Sequence, residues 1–109
     1  MYKSGLLAVV LGFVFSIHAL GITASAGSLI TGEVRDKKSG EAIIGATVQI
    51  ENSSVATATD LDGKFSLKNI PIGKQTIVCR YLSYKTVRVP VNVKQGESIA
   101  GLEIEMEED

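Results

Sequence analysis

The stretch ATDLDGKFSL, residues 58–67, decides how the surrounding sequence is interpreted. It places Asp60 and Asp62 one residue apart, then Gly63, and then Phe65 at the start of an alternating apolar run. Such a stretch is typical either of a calcium-binding loop or of a tight turn that leads into a β-strand. An EF-hand loop needs oxygen ligands at its first, third and fifth positions, glycine at the sixth and a bidentate glutamate at the twelfth.

The calcium loop fails at three of these positions. Counted from Asp60, the glycine falls at the fourth position, Lys64 occupies the fifth and Pro71 occupies the twelfth. A turn fits better, because Asp60 can accept hydrogen bonds from the backbone that follows it, Asp62 tolerates turn geometry and Gly63 supplies positive φ. We therefore predict a hairpin turn here, with a weak, incidental cation site at Asp60 and Asp62 as the alternative.

Around this turn, apolar residues alternate with polar ones at a period of two, which is the pattern of half-buried strands. Turn-forming residues separate the runs at 36–40, 52–54, 60–63, 71–73 and 94–97. Six or seven short strands without a helical segment predict an all-β fold, a small antiparallel β-sandwich. Pro90 is expected on an edge strand or at a bulge, because proline cannot donate to a ladder. The residues predicted to face inward are Ile30, Gly32, Val34, Ala46, Val48, Ile50, Phe65, Leu67, Ile77, Cys79, Tyr81, Val87, Val89, Val91, Val93, Leu102, Ile104 and Met106.

The first 26 residues have the composition of a secretory signal peptide. Lys3 gives a positive start, residues 5–17 are an apolar run with the single polar residue Ser16, and the small residues Ala24-Ser25-Ala26 resemble a signal peptidase site. We expect cleavage after Ala26, which would leave residues 27–109 as one secreted domain. An uncleaved membrane anchor is the alternative interpretation.

The expected mature domain lacks the side chains that most enzymes need. Its 83 residues contain ten Lys or Arg, twelve Asp or Glu, one cysteine, no histidine and no tryptophan. A Ser-His-Asp or Cys-His nucleophile needs an imidazole, and a zinc site needs several His or Cys ligands. No glycine-rich phosphate loop and no basic stripe for nucleic acid is visible. We predict a non-enzymatic domain with no catalytic, cofactor-binding or metal-binding residues, no nucleic-acid partner and no membrane span in the mature chain.

Cys79 is the single cysteine of the chain. It shares a strand face with Ile77 and Tyr81, so we expect it to be buried as a small hydrophobic residue. The alternative is a disulfide to another chain, because an odd cysteine in a secreted protein can pair between molecules.

Four short blocks, in a fixed order, give the sequence from residue 30 to residue 86 a family resemblance. It resembles the carboxypeptidase regulatory-like domain, a transthyretin-like (prealbumin-like) Greek-key β-sandwich of about seven strands. The blocks are a G-x-V unit, a G-A-x-V unit, a T-D-x-x-G-x-F unit and an I-P-x-G unit, here residues 32–34, 45–48, 59–65 and 70–73. The resemblance implies turn and framework roles, and no catalytic ones, for Gly32, Gly45, Ala46, Asp60, Asp62, Gly63, Phe65, Pro71 and Gly73.

Two positions depart from the family's pattern. Ala42 stands where the family often has proline, and Ser83 stands where it usually has glycine ahead of an aromatic residue, here Tyr84. Both are expected turn positions, so the departures concern the shape of two loops and leave the predicted fold intact.

The resemblance also implies a context. Such domains occur beside zinc carboxypeptidases and at the N-terminus of SusC-type TonB-dependent outer-membrane receptors, which suggests a periplasmic or outer-membrane-associated module with a protein partner. Lys85, Arg88 and Lys94 are the candidate partner surface, and Glu103, Glu105 and Glu107 form an acidic stripe on the final strand. The alternative is that both are solvated faces, whose opposite charges stabilise neighbouring strands only slightly, and that acid on an edge strand serves to discourage aggregation. A carbohydrate- or surface-binding sandwich is the alternative, although few aromatic side chains are available for it.

Overall fold

The computed structural model describes residues 27–109, so the predicted signal peptide lies outside the described residues. Within this range there is no helix, and therefore none that is long and apolar enough to cross a membrane. The seven strands are β1 (Leu29–Asp36), β2 (Thr47–Ile50), β3 (Ala56–Ala58), β4 (Lys64–Lys68), β5 (Gly73–Arg80), β6 (Val87–Val93) and β7 (Ser98–Met106).

The strands form two sheets, which confirms the predicted β-sandwich. One sheet has the order β4-β1-β7, and the other has the order β3-β2-β5-β6. Neighbouring strands are antiparallel, with the exception of the parallel pair β1 and β7. A parallel pair needs a long crossover connection, and the rest of the domain separates these two strands in sequence. Pro90 lies on β6, an edge strand, as predicted.

The core lies between the two sheets and consists almost entirely of the residues predicted from the period of two. Alternation along each strand places one face against the opposite sheet and the other face in water. Cys79 belongs to this core, and burial raises the pKa of its thiol to about 11. The buried apolar cluster is Ile30, Val34, Ile43, Ala46, Val48, Ile50, Phe65, Leu67, Ile70, Ile77, Cys79, Val93, Ile104 and Met106.

Two details of the sequence-based prediction are wrong. Tyr81 lies beyond the end of β5 and is exposed, because the chain turns directly after Arg80. The short strand β3 was not recognised, because its Ala-Thr-Ala sequence has no apolar alternation and its position at the sheet edge leaves it mostly in water. On β6, Val87, Val89 and Val91 face the core but remain half-buried.

Gly32 allows β1 to lie close to its neighbours on both sides. A Cβ built on Gly32 would lie 2.1 Å from the carbonyl oxygen of Leu102 and 2.8 Å from the ring of Phe65. No side chain fits at these distances, so only glycine lets the aromatic ring pack across β1. Opposite this point β7 carries a bulge, where Gly101 adopts a φ of +74° and the register with β1 shifts by one residue.

Thr59 ties the segment before β2 to the segment after β3. Its hydroxyl accepts a hydrogen bond from Ala46 N at 2.9 Å and donates one to the carbonyl of Ile43 at 2.6 Å. Its own backbone N–H donates to Ala46 O at 2.9 Å, and its carbonyl accepts from Gly45 N at 3.0 Å. Because Thr59 is buried, none of these groups can exchange its partner for bulk water.

Replacing Thr59 by valine keeps the shape of the side chain but removes both hydroxyl bonds. Ala46 N–H and the Ile43 carbonyl would each lose a buried partner, so we expect Thr59→Val to lower the free energy of unfolding by about 2–4 kcal/mol. Thr59→Ser keeps the hydroxyl and loses one methyl group, which should cost only about 1 kcal/mol. Urea unfolding of the purified protein measures both changes, and equal losses for the two variants would contradict the role of the hydroxyl.

Candidate functional site

The turn at Asp60 closes with backbone hydrogen bonds from Gly63 N to Asp60 O and from Asp60 N to Lys64 O, both at 2.9 Å, as the sequence suggested, but the strands that it joins do not pair with each other. One oxygen of the Asp60 carboxylate accepts hydrogen bonds from Asp62 N and Lys64 N, both at 2.9 Å. Gly63 has a φ of +74°, and its carbonyl accepts from Val34 N at 2.8 Å. The turn joins β3 to β4, which belong to different sheets, so it forms a corner of the sandwich. The predicted hairpin pairing was wrong because β4 pairs with β1.

The remaining framework residues lie at strand entries. Gly45 has a φ of +80° and leads through the buried Ala46 into β2. At the opposite end of the sandwich, Pro71 follows the buried Ile70, and Gly73 starts β5 with a φ of +115°. Residues 27–109 contain no cluster of three or more His, Cys, Asp or Glu side chains that could hold a metal ion.

The three basic residues of the predicted partner surface do not form one patch. Lys85 precedes β6 and Lys94 follows it, so the seven-residue strand separates them by roughly 20 Å. Arg88 lies between them on the outer face of β6, where its guanidinium pairs with the carboxylate of Glu51. The side chains of Arg88 and Glu51 extend across the outer face of β5. Val78 of β5 lies on this face as the Cα partner of Arg88, and it is only 2% exposed.

β6 and the acidic final strand are not neighbours in a sheet, which corrects the predicted pairing of their charges. β7 pairs with β1, and β6 pairs with β5. One contact of the expected kind does form beyond the strand ends, where Lys85 Nζ lies 3.8 Å from the Glu107 carboxylate. Both side chains are exposed, so this pair adds little stability.

A carboxylate and a phenol that the sequence did not connect hold two loops together. Asp36, at the end of β1, accepts a hydrogen bond from the Tyr84 hydroxyl at 2.5 Å. Its other oxygen accepts from Lys38 N at 2.8 Å and Ser39 N at 2.9 Å, which orders the turn after β1. The bond from Tyr84 is the main reason that the pKa of Asp36 is lowered, and the same bond raises the pKa of Tyr84 to about 12.

The loops at this end of the sandwich also expose apolar side chains. Thr47 is the Cα partner of both Ala58 and Arg80, so the chain segments next to these three residues meet at one end. These segments carry Leu61, which is 80% exposed, and Leu82, which is 87% exposed. We call this surface the loop end, and its exposed apolar residues are Ile44, Leu61, Tyr81 and Leu82.

A groove lies beside the loop end, between the turn that follows β1 and the C-terminal residues. Its lining is mixed in charge and contains both partners of the Asp36–Tyr84 hydrogen bond. The lining residues are Asp36, Lys37, Lys38, Ser39, Glu41, Ala42, Ile43, Tyr84, Glu107 and Glu108. Sequence reasoning placed turns here but could not show which turns would meet.

Comparison with protein families identifies the domain type. The model of the CarboxypepD_reg-like domain matches residues 30–109, which include all seven strands apart from the first residue of β1. No curated protein matches the sequence at a significant level.

Solved structures with the same architecture come from several different kinds of protein. A chain of a type II cohesin–X-dockerin complex from Acetivibrio cellulolyticus superimposes with a TM-score of 0.62 at 23% identity, over 72% of this chain and 56% of that one. The Bacillus anthracis TIE protein gives a TM-score of 0.58 at 22% identity, over 77% of this chain and 17% of that one. For 3-chlorocatechol 1,2-dioxygenase from Rhodococcus opacus the TM-score is 0.59 at 9% identity, with 79% and 61% covered. At these identities the likeness shows the fold alone.

Ser83 occupies a backbone conformation that suits glycine. Its φ is +70°, and the Tyr84 N–H donates to Tyr81 O at 3.1 Å, so Ser83 is the third residue of a tight turn. We expect Ser83→Gly to raise the free energy of unfolding by about 0.5–1 kcal/mol, because it relieves the left-handed strain of an L-residue. Ser66→Gly, on the exposed face of β4, should lower it by a similar amount. Thermal unfolding of both variants gives the comparison, and destabilisation by Ser83→Gly would contradict the strain.

The Asp36–Tyr84 bond predicts a pH-dependent stability. A lowered folded-state pKa means that Asp36 stabilises the fold above its ordinary pKa of 3.8, and that this stability is lost as the pH falls through the lower folded value. We expect Tyr84→Phe to melt below wild type at pH 7, and the difference to narrow on acidification below pH 3.8. Tyr81→Phe, which alters an exposed tyrosine, is the matched control. A melting difference that stayed constant through this acidic range would contradict the role of the carboxylate.

Proposed function

The chain belongs to the CarboxypepD_reg-like domain family, and we propose that it acts as a secreted protein-interaction module at the periplasmic face of an outer membrane. The family's domain is a non-catalytic β-sandwich, so its role lies in contacts and not in chemistry. In this proposal the domain resembles the N-terminal extension of a TonB-dependent nutrient receptor, and it engages the receptor or its energy-transducing partner.

The observation that carries the proposal is the exposed apolar surface of the loop end. Leu61 and Leu82 are among the most exposed large apolar side chains of residues 27–109, and both lie on turns that the fold holds firmly. The Leu61 turn is fixed by the Asp60 carboxylate, and the Leu82 turn is followed by Tyr84, which Asp36 anchors. Contiguous exposed apolar surface is a mark of protein-binding sites, and the proposal assigns this role to the apolar side chains that the loop end exposes.

Lys85 is the member of the predicted partner surface that lies at the loop end. It follows the Leu82 turn directly and remains more than half exposed. A partner with apolar side chains at its centre and an acidic rim would therefore fit the loop end. Among the structural neighbours, a cohesin–X-dockerin complex gives an example of this fold in a protein assembly, and it supports the proposal through the shared fold alone.

The proposal is tested by capture from the cell envelope. A C-terminally tagged copy of the chain, expressed in its native organism, should fractionate with the envelope and retain an outer-membrane receptor or an energy-transducing protein after crosslinking. Leu61→Asp combined with Leu82→Asp should remove most of that capture. Ile72→Asp, which changes a 62% exposed residue at the opposite end of the sandwich, is the matched control.

Two results would contradict the proposal. Equal capture by wild type and by the Leu61 and Leu82 variant would show that the loop end is not the contact surface. Recovery of the wild-type chain in the cytosol, with no envelope protein attached, would contradict the periplasmic role itself.

Carbohydrate binding is the alternative function, and one observation favours it. Tyr81 is partly exposed, and its ring centre lies 5.7 Å from that of Tyr84, which gives a small aromatic surface at the loop end. Binding of the purified protein to a glycan array that is abolished by Tyr81→Ala, together with the absence of any captured protein, would favour this alternative.

A further inference from the structure

The free edge of β7 presents backbone groups that are ready to pair with another strand. β7 has β1 on one side and no strand of residues 27–109 on the other. The Met106 carbonyl accepts from Lys37 N at 2.8 Å, so Met106 directs its backbone groups to the β1 side. Because direction alternates along a strand, Glu103 and Glu105 direct their N–H and C=O groups to the open side.

The edge of β6, in the other sheet, is closed to such pairing at its centre. The Thr76 carbonyl accepts from Glu51 N at 2.9 Å, so the backbone of Thr76 faces away from β6. Its Cα partner on β6 is Pro90, whose backbone must then face the free edge. Proline has no N–H, so an added strand would lose a hydrogen bond in the middle of β6.

A short piece of the chain already pairs with the free edge just beyond β7. Lys85 N donates to Glu107 O at 2.9 Å, and Asp109 N donates to Ser83 O at 2.9 Å, which makes Tyr84 and Glu108 antiparallel partners. The Lys85 ammonium also lies 3.8 Å from the Glu107 carboxylate. Lys85 therefore donates a backbone hydrogen bond to Glu107 and also places a positive charge beside its carboxylate.

Glu105 and Glu103, further along the same edge, have no such partner in the part of the chain that the structure describes. Within residues 27–109 neither of them forms an ion pair. Arg35 is the Cα partner of Glu105, but its guanidinium bonds to Glu33 at 2.6 Å and to Gly40 O at 3.1 Å. Glu103 lies opposite Glu33, whose charge Arg35 already pairs, so the charges of Glu103 and Glu105 leave this edge negative and favour an incoming cation.

The inner side of this edge is apolar. Ile99 and Leu102 of β7 and Val87, Val89 and Val91 of β6 pack against the core but stay half-buried along the open side of the sandwich. A strand added to β7 would place alternate side chains over these residues and the intervening ones beside the glutamates.

We infer that the free edge of β7 binds an extended segment of a partner protein that alternates basic and apolar residues. The segment runs antiparallel to β7 and repeats the Lys85–Glu107 arrangement at Glu105 and Glu103. A second copy of β7 is a poor occupant, because its own glutamates would add negative charge to this edge. The inference rests on the proposed interaction role but uses a surface separate from the exposed leucines of the loop end.

The test uses the purified protein and a blocked short peptide that alternates lysine and valine. Addition of the peptide should shift the backbone amide resonances of Glu103 and Glu105 in NMR spectra much more than those of Arg88 and Asn92, whose N–H groups face the free edge of β6. A peptide of the same sequence with N-methylated backbone keeps the charge but cannot pair, and it should bind at least about tenfold more weakly.

Two variants locate the site. Glu103→Pro removes an N–H that faces the open side, so it should spare the ladder to β1 while weakening peptide binding about tenfold or more. Asn92→Pro makes the same change at the free edge of β6 and should leave binding unaltered. The double variant Glu103→Lys with Glu105→Lys alters only exposed side chains. It should no longer bind the lysine–valine peptide and should instead bind a peptide that alternates glutamate and valine.

Several outcomes would overturn the inference. They are no amide shift at millimolar peptide, shifts confined to β6, undiminished binding to Glu103→Pro, and binding by the N-methylated peptide that equals that of the parent. Sedimentation that shows self-association through β7 would also overturn it, since the edge would then be occupied by a second copy. None of these results would change envelope capture that depends on Leu61 and Leu82. The proposed function and the inference about β7 can therefore be contradicted independently of each other.

Discussion

The hydroxyl of Thr59 is the contact on which the two-sheet arrangement depends. β3 and β4 follow each other closely in sequence but belong to different sheets, so the chain must leave one sheet and enter the other within the five residues 59–63. A crossing this short would leave buried backbone groups without partners. Thr59 supplies those partners through its hydroxyl and both of its own backbone groups, and the Asp60 carboxylate completes the corner. With the corner fixed, β4 can pair with β1 and Phe65 can reach Gly32.

Much of this arrangement could be predicted from the sequence because its determinants are local. The alternation of apolar residues identified the inner face of β1, β2, β4 and much of β7, and the Asp60 turn formed for the reason that its chemistry suggested. Cys79 was predicted to be buried from its strand neighbours alone, and it lies in the core 3.6 Å from the sulfur of Met106. In each case one short segment contains all the information that the prediction needs.

The candidate surfaces could not be predicted in the same way, because they depend on which strands become neighbours. Lys85, Arg88 and Lys94 are close in sequence, but a strand holds its two ends far apart, and only Lys85 reaches the loop end. The bond between Asp36 and Tyr84 joins residues 48 positions apart, and neither has a sequence signature that names the other. The charges of β6 and β7 seemed complementary in sequence, yet the parallel pairing of β7 with β1 places them in different sheets.

The same topology leaves β6 and β7 as edge strands, and their free edges have different properties. An exposed strand edge tends to pair with any available chain, and proteins limit this with proline, with charge or with bulges. β6 carries proline, which removes a donor and blocks every partner equally. β7 instead carries a bulge at Gly101 and then two glutamates that form no ion pair within residues 27–109. Their charge discriminates between partners because it repels acidic strands and attracts basic ones. A domain that only needed protection from aggregation could use proline on both edges. The retained donors of Glu103 and Glu105, beside a half-buried apolar row, are therefore better explained by selective pairing than by protection alone.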